Sequence, residues 1–275
     1  MSDSIRERAH AKVNLALRII GAAGGMHRIE TLQQSVDLYD EVLLEKSSGN
    51  AITSDYPQDN SVVVLSALQR AFHLGGMRLS VTKRIPVGGG LGGSSADAAA
   101  AAIAAIKLYD LDPKAAFDTV KGLFGDIAFQ MTKGTAITRG IGSEVESLPS
   151  LPTCSVLLAF PSRGISTRDA YALSDECPLS TGSVRAVYDA LMQGKSAQEY
   201  YFNDLLLPAM KLSDEIAPLL KEIADPAALL TGMSGSGSTL FSLYRDAAAA
   251  QRQAARLSVP TLVTSTFCGD DAKKA

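Results

Sequence analysis

Between Arg8 and Ile20 (RAHAKVNLALRII) apolar and polar residues alternate, placing Val13, Leu15, Leu17 and Ile19 on one face and Lys12, Asn14, Ala16 and Arg18 on the other. A period of two is that of a strand, and it turns Lys12 and Asn14 the same way. YDEVLLEK reads as a second strand and MRLSVTKRI as a third, in which Met77, Leu79 and Val81 share a face. SVVVLSALQRAFHLGG, between them, has the spacing of a helix closed by Gly75 and Gly76. An alanine-rich run after Ser95 predicts a further helix, and DPKAAFDTVKGLF another. After GTAITRG and EVESLPSLPT the composition shifts, and the stretch Pro149 to Pro152 reads as a linker. The second half opens on the apolar strand SVLLAF and continues through helices near 167–175, 183–193 and 203–223. LLTGMSGSGSTLFSLY then reads as strand, Gly/Ser loop and strand, DAAAAQRQAARL as a helix, and TLVTSTF as a closing strand. This order predicts an α+β chain of two halves, 1–150 and 151–275, each a mostly antiparallel sheet covered on one side.

At 275 residues the chain can bury a large core, and its 46% hydrophobic and 20% charged residues suit a globular protein. A net charge of −3 argues against a nucleic-acid or anionic-membrane surface. No apolar run approaches the roughly 20 residues of a membrane span, and MSDSIRERAH is charged where a leader would be apolar. A cytoplasmic protein, monomer or homodimer, is the expectation. Cys154, Cys177 and Cys268 are widely spaced, without a C-x-x-C pair, and read as reduced structural thiols. With only His10, His27 and His73, a metal centre built on histidines is not expected.

The stretch KRIPVGGGLGGSSADAAAAAI sets a glycine run between a strand and a helix. Glycine lets the backbone approach a ligand closely, and the first N–H groups of the following helix have no partner inside it. Those donors and the positive end of the helix dipole favour an anion, most naturally phosphate. A tight turn before a serine-capped helix would also account for such a loop. Gly88, Gly90 and Gly93 match G-x-G-x-x-G, but the chain runs on into a second helix instead of the strand a dinucleotide fold requires. A Walker loop needs a lysine at the helix start, and none follows before Lys107. The loop is of a third kind, holding phosphate largely by backbone amides and hydroxyls.

Three segments stand out in order: AKVNLAL near the start, PVGGGLGGSSADAA at the first third and MSGSGSTLF near the end. They resemble the three motifs of the GHMP kinases, the family of galactokinase, homoserine kinase and mevalonate kinase, and the resemblance covers nearly the whole chain. Gly25-Met26-His27, Gly125-Asp126-Ile127-Ala128-Phe129, Ile165-Ser166-Thr167 with Tyr171, and Asn203-Asp204-Leu205 extend it. They are similar to the branch that phosphorylates the 2-hydroxyl of 4-diphosphocytidyl-2-C-methyl-D-erythritol in the non-mevalonate isoprenoid pathway. A mevalonate- or homoserine-type kinase and a catalytically silent nucleotide-binding member are the alternatives. Lys12 with Asp126 speaks against the silent member, and the Ile165 and Asn203 segments favour the cytidine branch.

The resemblance implies a ribosomal-S5-like N-terminal domain joined to a ferredoxin-like C-terminal domain, working with ATP and Mg2+. It assigns the ATP phosphates to Pro86, Val87, Gly88, Gly89, Gly90, Leu91, Gly92, Gly93, Ser94, Ser95 and Ala96. It implies that Asp126 takes the proton of the acceptor hydroxyl with Lys12 beside it, although a cap after Gly125 and a solvated strand lysine would also explain them. Asn14, His27, Ser236 and Gly237 are implied to line the acceptor side, with His27 on the cytosine edge and Tyr171 on a cytosine face, where a core aromatic is the other reading. Met26 replaces a tyrosine that usually packs on the cytosine, and is expected to lie against the base by its thioether. Ala128 replaces a usual proline and Ser94 a third glycine. Asp97, in the first helical turn, is expected either to act through a magnesium ion or to point away as a cap.

Overall fold

Two long strands, β1 (Ser4–Ala23) and β2 (Met26–Ser47), form an antiparallel ribbon in the computed structural model, which describes residues 3–56 and 60–269. Gly24 and Gly25, both at positive φ, make the two-residue turn between them. Such a turn matches the right-handed twist of the strands and needs residues free to adopt that φ. Strand β2 begins well before YDEVLLEK because Gln33, Gln34 and Ser35 are buried there despite their polarity, which hides the alternation. Their side chains are satisfied: Thr135 Oγ1 donates to Gln34 Oε1 (2.6 Å) and Gln34 Nε2 to the Phe267 carbonyl (2.9 Å).

The first half continues with β3 (Ile52–Ser54), α1 (Asn60–Phe72), β4 (Gly76–Thr82), α2 (Gly93–Tyr109), α3 (Pro113–Val120), α4 (Ile127–Thr132), β5 (Thr135–Gly140) and β6 (Glu144–Leu148). The sheet order is β3-β4-β2-β5-β6, with β1 on the other edge of β2. β4 and β5 share one edge of β2, on residues 41–47 and 29–34 respectively. Helix α1 is closed not by Gly75 and Gly76 but by His73 at φ 52, whose following amide, Leu74 N, returns to the Gln69 carbonyl at 3.1 Å. Gly76 instead opens β4, where a Cβ would meet two carbonyl oxygens at 2.9 Å. Helix α2 is buried along the alanine run from Ala98 to Ala102, and side chains this small let it lie close against β1.

The second half comprises β7 (Ser155–Ala159), α5 (Thr167–Ser174), α6 (Val184–Met192), α7 (Leu206–Leu212), α8 (Ile216–Ile223), β8 (Leu230–Met233), β9 (Leu240–Tyr244), α9 (Ala247–Ala254) and β10 (Thr261–Ser265). Its antiparallel sheet runs β10-β7-β9-β8. The single helix expected over 203–223 is two helices. Ser213 takes an extended conformation between them, and Asn203 forms a parallel bridge to Leu17 instead of joining a helix. The Asn-Asp-Leu segment is a clamp: Asp204 accepts from the Ile19 amide (2.7 Å) and the Ser180 amide (2.8 Å), and burial outweighs these bonds in raising its carboxyl above the usual range.

Pro149 to Pro152 is short and pinned, not loose. Leu151 is buried, its amide donates to Thr135 Oγ1 at 3.2 Å, and Tyr188 Oη donates to the Pro149 carbonyl at 2.9 Å. Leu32 and Val42 from the first sheet share one apolar core with Val156, Val187 and Phe241. Among the described residues no helix is long and apolar enough to cross a membrane.

Candidate active site

The polar face of β1 is covered. Lys12 and Asn14 are buried at 4% and 3% exposure because the glycine loop before α2 and the loop between β8 and β9 close over them. Lys12 Nζ donates to Asn14 Oδ1 (2.5 Å) and to the Gly90 carbonyl (3.0 Å), and stands 3.6 Å from Asp126 Oδ2. Lys12 is therefore not a solvated strand lysine. Asn14 Nδ2 donates to Thr31 Oγ1 at 2.8 Å, which fixes the amide with its oxygen toward the ammonium. Asp126 sits where α4 begins but makes no side-chain capping bond; its Oδ1 accepts from Gln33 Nε2 at 2.8 Å instead.

The glycine loop is held from both sides. Ser234 Oγ donates to the Gly90 carbonyl (2.9 Å), the Thr239 amide to the Gly89 carbonyl (3.2 Å) and the Lys12 amide to the Leu91 carbonyl (3.0 Å). Gly90, at φ 74, lies so close to its neighbour loop that a Cβ would stand 2.3 Å from the Ser234 carbonyl oxygen, so only glycine fits. Gly92 caps α2 in a left-handed conformation without any side-chain cap, leaving the first-turn amides toward a cavity that Gly93, Ser94 and Ser95 line.

Asp97 is neither a cap nor a group at the cavity. It is fully buried and paired at 2.5 Å with Lys83 Nζ, which also meets Asp40 Oδ2 at 2.6 Å. Asp40 in turn accepts from the amides of Arg84 and Ile85. This cluster ties the start of the glycine loop to β2 and to the underside of α2. Because α2 already begins at Gly93, Asp97 lies past its first turn and not in it, and the carboxylate escapes phosphate repulsion by finding its own lysine.

These loops enclose a cavity of about 670 Å³. Lys12, Asn14, Asp126, Tyr171, Ser236 and every residue from Pro86 to Ser95 line it. Among the described residues Asp126 is the carboxylate in that lining. Met26, His27, Ala96 and Gly237 are not part of it. Met26 projects at 55% exposure from the hairpin end, so the expected contact of its thioether with a base has no cavity wall there. His27 Nε2 meets Asp175 Oδ1 at 2.8 Å, and its ring stacks on Tyr171 at 5.1 Å between centroids. One face of Tyr171 is thereby occupied by imidazole. Burial, reinforced by the nearby Asp126 carboxylate, pushes the Tyr171 phenol far above the usual tyrosine range, so it stays a neutral hydroxyl. Gly237 packs inward, where a Cβ would meet Met233 Sδ at 2.7 Å.

The geometry also brings in residues the patterns did not single out. Gln33 and Thr31 come from the buried polar part of β2, and Lys83 precedes the glycine loop. Thr167, from the Ile165-Ser166-Thr167 segment, places its Oγ1 2.9 Å from Ser236 Oγ. Asn203 Nδ2 donates at 2.9 Å to both the Met233 and Gly235 carbonyls, holding the second loop in place. Polar residues in a stretch otherwise apolar, as in TLQQSV, were the available signal. Among the described residues no three of His, Cys, Asp and Glu gather as a metal cage.

The family pattern described as "GHMP kinases N terminal domain" matches residues 60–136, and "GHMP kinases C terminal" matches 186–258. A 4-diphosphocytidyl-2-C-methyl-D-erythritol kinase of Pelotomaculum thermopropionicum is 31% identical over 277 residues, spanning 94% of this chain and 96% of its own. The protein of that name from Desulfitobacterium hafniense is 33% identical over 261 residues, spanning 90% and 89%. A crystal structure of 4-(cytidine 5'-diphospho)-2C-methyl-D-erythritol kinase superposes with a TM-score of 0.83 at 28% identity, covering 96% of this chain and 100% of that one. With the glycine loop and the Lys12–Asp126 pair on one cavity, and relatives aligned over 90% or more of its length, the chain belongs to the GHMP kinases and has their two-domain fold.

Proposed function

We propose that this chain transfers the γ-phosphoryl group of ATP to the 2-hydroxyl of 4-diphosphocytidyl-2-C-methyl-D-erythritol. The observation that carries the reading is the Lys12–Asp126 pair, at 3.6 Å, on the wall of the cavity that the glycine loop closes. Relatives of that name aligned end to end supply the acceptor. Phosphoryl transfer asks a protein for positioning, charge neutralisation and a proton acceptor. The amides of the glycine loop and of the first turn of α2 receive the phosphates. Asp126 Oδ2 takes the hydroxyl proton. Lys12, between Asp126 and the Gly90 carbonyl, places a fixed positive charge where negative charge gathers during transfer.

With Asp126 the carboxylate in the lining and Asp97 spent on Lys83, a magnesium ion would be carried mainly by the nucleotide's phosphates, with hydroxyls of Ser94 and Ser95 as available protein oxygens. Such a sparse set of hard oxygen donors fits magnesium, which neutralises phosphate charge when bound. For the cytosine, His27 is the residue of choice: Asp175 holds Nε2, which leaves Nδ1 to meet the edge of a base. The division at 1–150 and 151–275 is supported by β6 ending at Leu148 and β7 beginning at Ser155.

The acceptor is tested by offering the purified protein ATP with the cytidine substrate, mevalonate or homoserine and measuring ADP release. Turnover with the cytidine substrate alone is expected; turnover with either of the others alone would overturn the acceptor and leave only the kinase.

The phosphate site is best tested at Gly88. A Cβ at Gly92 would press on Lys12 Cε and Gln130 Nε2 at 3.0 Å, so a substitution there would disturb Lys12 as well. Gly88 lines the cavity, stands at φ 73 and has nothing within 4 Å of an added Cβ. Asparagine tolerates that φ, and aspartate has nearly the same shape with a charge added. Gly88→Asp should therefore bind ATP about tenfold more weakly than Gly88→Asn by calorimetry. That difference is about 1.4 kcal/mol, well inside the roughly 4 kcal/mol that two charges 4 Å apart exert near a protein surface. Equal affinities would place the phosphates elsewhere.

A further inference from the structure

We infer that Gln33 is a positioning residue for phosphoryl transfer: it holds Asp126 Oδ1, so that Oδ2 is the oxygen left to receive the acceptor's proton. The inference rests on the reading of Asp126 as proton acceptor. Gln33 is fully buried on β2, directly opposite Asn14 of β1 and Ala136 of β5. Its Nε2 donates to Asp126 Oδ1 at 2.8 Å, and Thr138 Oγ1, two residues along β5 from Ala136, donates to its Oε1 at 3.1 Å.

Chemistry fixes the direction of this relay. An ionised carboxylate can only accept, so the amide must turn its nitrogen to Asp126 and its oxygen to Thr138, whose hydroxyl must then donate. The line Thr138–Gln33–Asp126 runs across β5 and β2 to the start of α4, and its two nearer members stand on strands and not on loops. Residues on paired strands hold their spacing far better than a loop carboxylate could alone. With Oδ1 engaged, the carboxylate cannot rotate freely, and Oδ2 stays on the Lys12 side at 3.6 Å. A buried glutamine makes no contribution to the apolar core and costs free energy unless its amide is satisfied, so its presence here is spent on Asp126. Gln33 does not line the cavity, so it reaches the acceptor through Asp126.

The experiment compares steady-state kinetics of Gln33→Met, Thr138→Val, Thr138→Ser, Asp126→Asn and the double variant Asp126→Asn with Gln33→Met. Methionine fills the glutamine's volume without an N–H donor. Its kcat should fall on the order of tenfold to a hundredfold, as misplacing a reacting group does, with both KM values within about twofold of the wild type. Thr138→Val, which removes the orienting hydroxyl, should lose kcat several-fold in the same pattern, and Thr138→Ser, which keeps it, should restore kcat. The double variant should turn over no more slowly than Asp126→Asn alone, because residues acting as a unit are not additive. Wild-type kcat in folded Gln33→Met while Asp126→Asn is crippled would overturn the role of Gln33 and leave that of Asp126 standing. Should Gln33→Met not fold, equal kcat for the valine and serine variants at Thr138 would overturn it just as surely. Near-normal turnover of Asp126→Asn would instead overturn the underlying reading.

Discussion

Asp126→Asn is expected to bind ATP within about threefold of the wild type and to turn over about 10²- to 10⁴-fold more slowly, the range that a positioned acid or base supplies. The shape of the side chain is kept, so neither the α4 start nor the glycine loop has reason to move. What changes is the chemistry at Oδ2. Gln33 Nε2 donates to Asp126 Oδ1 and will keep the introduced amide's oxygen on that side, which turns its NH2 toward Lys12 Nζ. Two donors then face each other where an acceptor stood, and the substrate hydroxyl has nowhere to deliver its proton. ATP meets the loop amides, not this carboxylate, which is why its affinity should survive. The check is kcat from ADP release beside a calorimetric titration with ATP. Turnover within about threefold of the wild type would mean that the proton leaves by another route.

Lys83→Met is expected to cost about 3–5 kcal/mol of stability, the price of stranding a buried charge. Lys83 Nζ meets Asp97 at 2.5 Å and Asp40 at 2.6 Å, and both carboxylates have no exposed surface. Removing the ammonium leaves two negative charges side by side in the interior. Burial by itself would lower the lysine's pKa, but hydrogen bonds and charges from Asp40 and Asp97 reverse this and raise it above 10.5. A group whose folded pKa is raised contributes its stability below the unfolded value and loses it as pH rises through the folded one. The gap between wild type and variant should therefore be flat from about pH 6 to about pH 9 and narrow only in stronger alkali. Urea unfolding should place the variant's midpoint about 1 M or more lower. Adding Asp97→Asn should recover part of the loss by removing one stranded charge. A midpoint unchanged by Lys83→Met would show that the cluster does not hold the loop.

Where a residue's part depends on its neighbours along the chain, the sequence was legible. The strand holding Lys12 and Asn14, the hairpin of β8 and β9, the glycine loop and the alanine helix each rest on a local period or a local backbone requirement. Helix and strand periods are written in spacing, and a helix N-terminus offers its amides whatever surrounds it. Even Met26 was visible as a departure, although its exposed place at the hairpin end was not.

Contacts between distant segments were decided only by the tertiary structure. Asp97 looks like a first-turn group at a phosphate site, and only the packing of α2 over β1 and β2 gives it Lys83 in place of a cap. Gln33 looks like an interruption of a strand, because a polar residue inside a sheet is explained by its partner, here an aspartate 93 positions away. Asn203 and Asp204 read as the start of a helix until their side chains are seen clamping β1 and the loop after β8. His27 and Tyr171, singled out as separate contacts to a base, lie against each other. Backbone conformation and hydrophobic period are local and survive in one dimension. The satisfaction of a buried charge or amide is a pairing across the fold, and the sequence by itself names the group that needs a partner without naming the partner.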